Sequence, residues 1–220
     1  SFMSQVWFTD RSERPNGERP RRKNAGRSPL ELPAPAEKAA IVEAMFDRIA
    51  PRYDLLNRLL TLRLDQRWRR VAIQRAGIGP ADVVVDLGCG TGDMCVFAVA
   101  AGARVIGVDF AARMLVAARR RGVTAPLLRA DASALPLPDA CATVVMSAFA
   151  LRNFVSIPTV LAEAARILRP GGRLALLEVD EPHSALMQWG HALYFRRFVP
   201  LVGGLLSDRA AYRYLPQSTA

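Results

Sequence analysis

The chain has 220 residues, 51% of them hydrophobic, and a formal net charge of +10. That length and apolar content predict one α/β domain with appendages, and exclude a chain too polar to bury a core. Lys23 and Lys38 are the only lysines among the basic residues. The arginine skew reads as coding bias as much as a surface for polyanions, so nucleic acid is not an expected partner.

The three cysteines, Cys89, Cys95 and Cys141, are odd in number and fall in predicted strand, turn or helix, as free thiols of a reducing compartment do. No apolar run approaches the ~20 residues that span a bilayer, and no charged region followed by an apolar one marks a secretory leader. A cytoplasmic protein is expected, with peripheral contact at the inner face of a membrane left open.

Residues 1–36 are polar, interrupted by Pro15, Pro20, Pro29, Pro33 and Pro35, with a basic cluster at Arg19, Arg21, Arg22, Lys23 and Arg27. That composition predicts a disordered tail. From Glu37, Ile41, Val42, Met45, Phe46 and Ile49 recur at helical spacing up to Pro51. Leu55, Leu56, Leu59 and Leu60 suggest a second helical segment. Trp68, Val71, Ala72 and Ile73 suggest a third, stopped by Gly77, Gly79 and Pro80. Residues 37–80 thus read as a helical lid over a core at 81–181, with Tyr53, Asp54, Asn57 and Trp68 as polar or aromatic contributors.

The core opens on Val83-Val84-Val85-Asp86-Leu87, which runs into Gly88-Cys89-Gly90-Thr91-Gly92-Asp93 and then an apolar helix to Ala100. Strand, glycine-rich turn and helix begin a nucleotide-binding α/β unit. Glycines there allow backbone to approach a ligand and φ to turn positive. The spacing is G-x-G-x-G, not the G-x-G-x-x-G that seats a pyrophosphate. Asp86 and Asp93 flank the turn, which disfavours a pyrophosphate and suits a ligand carrying an ammonium and a sulfonium, as S-adenosylmethionine (SAM) does.

Two more predicted strands also end in acids. Ala103 to Asp109 puts a carboxylate where ribose hydroxyls are received, and Pro126 to Asp131 puts another where an adenine amino group can donate. A helix from Ala111 to Arg121 lies between them, and Arg119, Arg120 and Arg121 read as its solvated end. Ala142 to Ser147 is the fourth core strand, followed by Phe149-Ala150-Leu151-Arg152-Asn153. A helix from Thr159 to Leu168, a stop and turn at Arg169-Pro170-Gly171-Gly172 and a strand from Leu174 to Glu178 complete the core. Residues 182–220 form an apolar, aromatic helical segment. His183 and His191 lack ligand spacing, so no metal site is expected. The fold predicted is a doubly wound, mostly parallel Rossmann-like α/β sheet.

Several of these stretches resemble the ubiquinone/menaquinone biosynthesis C-methyltransferases, a branch of the class I SAM-dependent methyltransferases. The resemblance rests on Met45 to Asn57 with Asp65-Gln66-Arg67-Trp68, on Phe149 to Asn153, on Arg166 to Leu174 leading to Glu178, and on Asp208 with Tyr212 to Leu215. It implies a methyltransferase domain over 37–220 and a closing pair of antiparallel strands, which are not visible in the sequence.

The resemblance also implies SAM as methyl donor, held by Asp86, Gly88, Gly90, Thr91, Gly92, Asp109, Phe110, Asp131, Ala132 and Ser147. Ser147 stands in, shifted by one residue, for a family serine at the position of Ala148. Tyr53 helps close the donor pocket. Arg152 favours the phenolate of the acceptor and Asn153 orients its hydroxyl. The implied reaction is methylation of a ring carbon of a demethylated menaquinol or ubiquinol precursor.

Chain positions Leu56, Asp65, Ala148, Ala150 and Asp180 depart from the family pattern. They motivate an alternative acceptor, a phenolic or polyketide-like metabolite. A SAM-binding protein without catalysis is a further alternative. The partners expected are a lipophilic quinol or phenol and a second copy of the chain in a homodimer.

Overall fold

A computed structural model describes residues 63–179 and a strand at 4–10, together with Ala44, Arg58 and Thr61. Apart from Ala44 and Arg58, the lid helices expected before Thr61, with Tyr53, Asp54 and Asn57, lie outside the described residues, as do His183, His191 and the segment 182–220.

The described elements are β1 (Ser4–Asp10), α1 (Leu64–Arg75), β2 (Val83–Leu87), α2 (Asp93–Ala100), β3 (Arg104–Asp109), α3 (Ala112–Arg120), β4 (Leu127–Arg129), β5 (Ala142–Ala148), a 3-10 turn (Leu151–Asn153), α4 (Ile157–Ile167) and β6 (Leu168–Val179). In α1 the buried residues Asp65, Arg69, Ala72 and Ile73 fall on one helical face. Gly77, at φ 59°, ends the segment. α4 opens at Ser156, whose hydroxyl accepts the Thr159 N–H, with Pro158 in the first turn where its missing N–H costs nothing.

The sheet order is β1-β6-β5-β2-β3-β4. β2 runs parallel to both β3 and β5, and its Val84, Val85, Asp86 and Leu87 are buried, as a strand covered on both faces requires. The chain proceeds outward from β2 through β3 and β4 on one side, then crosses to β5 and β6 on the other. That reversal opens a crevice at the carboxyl ends of β2 and β5. On one face of the sheet, Ile73 of α1, Ala98 of α2 and Ala118 of α3 join the core around Val84, Val144 and Met146. On the other, Val160, Ala164 and Ile167 of α4 join Val85, Val108 and Val145. This is the doubly wound architecture.

Two polar clusters fix elements around the sheet. Asp82, just before β2, accepts from Arg173 at 2.7 Å, from the Thr143 hydroxyl at 2.8 Å and from the Gly79 N–H at 3.0 Å. Burial alone would raise its pKa; those donors hold it below the ordinary carboxylate value instead. Arg166 on α4 donates to the carbonyls of Leu137 and Leu135 and pairs with Asp139 and Glu163. The proline loop 135–139 is thereby tied to α4.

The structure departs from the sequence reading in three places. The turn expected at 169–172 is a bulge inside β6: Ala142 faces Leu168, but Val144 faces Arg173. Pro170 has no N–H for the ladder and Gly171 sits at φ 73°, so these residues leave the register without ending the strand. The disorder expected over 1–36 does not hold for Ser4–Asp10, which pairs antiparallel with β6 from Ser4 opposite Val179 to Asp10 opposite Arg173. Val6-Trp7-Phe8-Thr9 is a run of β-formers that the downstream prolines obscured. The same strand supplies an antiparallel neighbour at the sheet edge where none was visible in the sequence.

Gly107 in β3 was not singled out by the sequence, yet the core needs it. A Cβ there would lie 2.8 Å from a Leu127 methyl, 2.9 Å from the Cys95 sulfur and 3.0 Å from the Cys89 sulfur. Gly107→Ala is expected to cost about 1–3 kcal/mol by overpacking. Urea unfolding of the two proteins, showing a lower midpoint at unchanged slope, checks it.

Candidate active site

The crevice is an open cleft of ≈ 850 Å³, including space continuous with solvent. Gly88 and Gly90 line its floor. Asp109, Phe110, Asp131 and Ala132 line the side of β3 and β4, and Ala148, Phe149, Ala150 and Asn153 the side of β5.

The glycines of the turn serve different ends. Gly88 at φ 67° has no room for a side chain, since a Cβ would sit 2.7 Å from that of Ala150. Gly92 at φ 85° is filled by Val123, 2.8 Å from where its Cβ would be. Gly90 at φ 56° is the one whose missing side chain leaves nothing within 4 Å. Because Gly90 lines the cleft, that open space gives a ligand direct access to backbone.

Asp109 holds the turn in place. Its Oδ2 accepts the Gly90 N–H at 2.7 Å and its Oδ1 accepts the Ala111 N–H at 2.8 Å. It is not the cap of α3, a position occupied by Ala111. Each carboxylate oxygen can accept more than one hydrogen bond, so the group can also receive hydroxyl donors in the cleft. Asp131 is exposed, and its Oδ1 accepts both the N–H and the hydroxyl of Ser133 at 2.8 Å. Phe110, 38% exposed, presents an apolar ring beside these acids.

Other predicted site residues are engaged by partners within the protein. Ser147 is 2% exposed and donates its hydroxyl to the Leu87 carbonyl at 2.7 Å, which ties β5 to β2. Thr91 is 3% exposed, and its carbonyl accepts from Arg121 at 3.0 Å. Asp93 pairs with Arg121 at 2.6 Å, accepts from Gln66 at 2.9 Å and lies 3.9 Å from Arg69. Its carboxylate serves the protein instead of flanking a ligand. Burial would raise its pKa, but Arg121, Arg69 and Gln66 outweigh that and hold it low. Arg152 sits 3.8 Å from Glu178, both about a quarter exposed, while Asn153 next to it faces the cleft.

Two contributors escaped the sequence reading. Arg121, read as part of a solvated helix end, clamps the glycine turn through Thr91 and Asp93. It lies 30 residues from Thr91, and no local pattern signals such a contact. Phe149 stands at φ 60°, rare for a residue other than glycine, with Arg69 above its ring and Trp68 beside it. Its motif was visible; its backbone was not.

Asp86 is buried beneath the turn. Its Oδ2 lies 3.3 Å from the Cys95 thiol, and its Oδ1 has no hydrogen-bond partner among the described residues. Burial, only partly offset by Cys95 and Arg69, pushes its pKa up to about 7. The native state therefore holds a proton that the unfolded chain has released, and stability from this group falls as pH rises from about 4 to 7. Asp86→Asn is expected to unfold like the parent near pH 4 and to be more stable near pH 8, by at most about 4 kcal/mol. Thermal unfolding at both pH values checks the sign.

The sequence profile of the ubiE/COQ5 methyltransferase family matches residues 35–220, leaving β1 outside the matched span. The chain is 46% identical over 181 residues to a demethylmenaquinone methyltransferase of Thermus thermophilus, covering 79% of this chain and 82% of that protein. It is 43% identical over 180 residues to the ubiquinone/menaquinone biosynthesis C-methyltransferase UbiE of Syntrophotalea carbinolica, covering 79% and 76%. A SAM-dependent methyltransferase structure from Thermotoga maritima superposes with a TM-score of 0.50 at 28% identity, over 68% of this chain and 67% of that one. Glycine turn, acidic strand ends and family match agree: the chain belongs to the ubiE/COQ5 methyltransferases, enzymes that take their methyl group from SAM.

Proposed function

We propose that this enzyme methylates a ring carbon of a demethylated quinol, with the naphthoquinol head group that its Thermus relative's name specifies. The observation that carries the reading is the position of Asn153. In a chain of this family, it shares one cleft with Gly88, Gly90 and Asp109, so an acceptor hydroxyl bound there lies beside the donor's seat.

When bound, SAM supplies an electrophilic methyl group on a sulfonium. The residues present fit such a donor. The Gly90 face would admit it against the backbone, Asp109 would receive ribose hydroxyls, Asp131 would accept from the adenine amino group, and Phe110 and Ala132 would pack its base. Gly88 keeps the turn close to β5, while Thr91 and Gly92 shape the turn from behind. Asp86 and Ser147 act beneath the cleft, by electrostatics and by fixing β5.

The acceptor must become nucleophilic at carbon, and its ring must approach to roughly 3–3.5 Å. A phenolic hydroxyl of pKa ~10 is mostly protonated at neutral pH. Asn153 orients that hydroxyl. Arg152, on the same 3-10 turn, lends positive charge that favours the phenolate, and Glu178 fixes where that charge sits. Tyr53, outside the described residues, closes the donor pocket. No helix among the described residues is long and apolar enough to cross a membrane; a lipophilic quinol is met by peripheral contact.

Purified enzyme given radiolabelled SAM is expected to label demethylated naphthoquinol in preference to a benzoquinol precursor or a panel of small phenols. Label on a small phenol alone would transfer the assignment to a phenolic metabolite. Arg152→Ala is expected to lower turnover by about a hundredfold or more, to leave SAM affinity by calorimetry nearly unchanged, and to move the rate optimum to higher pH.

A further inference from the structure

We infer that Phe149 is the surface on which the acceptor's aromatic ring is seated, a role that rests on the methyltransferase reading above and adds the residue that recognises the flat ring itself. Three independent features converge on this side chain.

The first is its backbone. Phe149 adopts φ 60°, in the left-handed region, where a residue with a Cβ is strained and persists only if its surroundings dictate it. Its N–H donates to the Leu177 carbonyl at 2.8 Å, which fixes the turn against β6. A glycine would take this conformation without cost. The chain instead carries a large ring there.

The second is what holds the ring. The Arg69 guanidinium carbon lies 4.8 Å from the ring centroid, and Trp68 lies 6.4 Å away at an interplanar angle of 59°. Arg69 is itself buried, with Asp65 at 3.8 Å and Asp93 at 3.9 Å. A cation so placed draws on the ring's electron density and locks its orientation. Asp65, one of the departures from the family pattern, is therefore part of the support for this ring.

The third is location. Phe149 lines the cleft on the β5 side with Asn153, while Asp109, Phe110 and Asp131 line the β3 and β4 side. Phe149 is only partly buried: it packs with Trp68 against the core around Val84, Val144 and Met146, and still contributes to the lining of the cleft. A planar, partly exposed aromatic surface beside a polar amide fits a flat phenol or quinol, by offset or edge-to-face packing.

The test uses the full-length enzyme and 1,4-dihydroxynaphthalene as the ring probe, with binding measured by calorimetry and turnover measured on demethylated naphthoquinol. Phe149→Leu is expected to weaken probe binding and raise the acceptor KM about five- to tenfold, with SAM affinity within about twofold of the parent. Phe149→Tyr, which keeps the ring, should restore both. If Phe149→Leu does not fold, Phe149→Gly carries the same expectation, since its backbone suits the position. Parent-like probe binding and KM in the ring-less variants would overturn the inference, as would a loss of SAM binding in step with the probe. A parent enzyme that binds the probe through Phe149 but never methylates the quinol would refute the proposed reaction and leave the inference standing. No probe binding by the parent would overturn the inference too.

Discussion

The bond between Asp109 and the Gly90 N–H is the constraint on which the site depends. A backbone turn carrying glycines at positive φ has many accessible shapes. This one is fixed from three sides: the Cys89 N–H donates to the Val108 carbonyl at 3.0 Å, Asp109 takes the Gly90 N–H, and Arg121 grips the Thr91 carbonyl. Two of the three come from β3, parallel to β2 and in register with it from Val83 opposite Arg104 to Leu87 opposite Val108. The cleft floor thus inherits its shape from the pairing of the two strands, and a ligand meets a surface that has little left to order.

From this floor the two walls differ in character. The β3–β4 wall carries acids at strand ends, and the β5 wall carries an aromatic ring and an amide. The division follows from the reversal of strand order at β2: consecutive strands on one side bring similar loop ends together, and the crossing to β5 brings a different kind of loop opposite. The two sides of one cleft thus offer different chemistry, carboxylates on one and an amide on the other.

Much of this was legible in the sequence because it is local. Val83 to Gly92 announces its strand and turn through four apolar β-formers and three spaced glycines, and Asp109 and Asp131 each follow a short, largely apolar run. What stayed hidden is contact between distant segments. Asp93 reads from sequence as a ligand carboxylate, yet Arg121, Arg69 and Gln66 converge on it in space. Ser147 reads as a donor contact, yet the pleat of β5 turns it toward Leu87. Gly107 reads as an ordinary strand residue until two sulfurs and a leucine close around it. The 4–10 strand hides for a different reason: the prolines between 15 and 35 dominate the segment's composition and mask a short run of Val, Trp, Phe and Thr.

That strand has a consequence for the order of assembly. Ser4–Asp10 is synthesised before the other strands of the described sheet, while its partner β6 is the last of them to be made. The five parallel strands can form before their border is sealed, and the early segment must wait through nearly the whole synthesis of the core. During that wait the outer backbone of β6 is a row of unmatched donors and acceptors that any neighbouring nascent chain could join. β1 forecloses this by occupying the border with a piece of the same polypeptide.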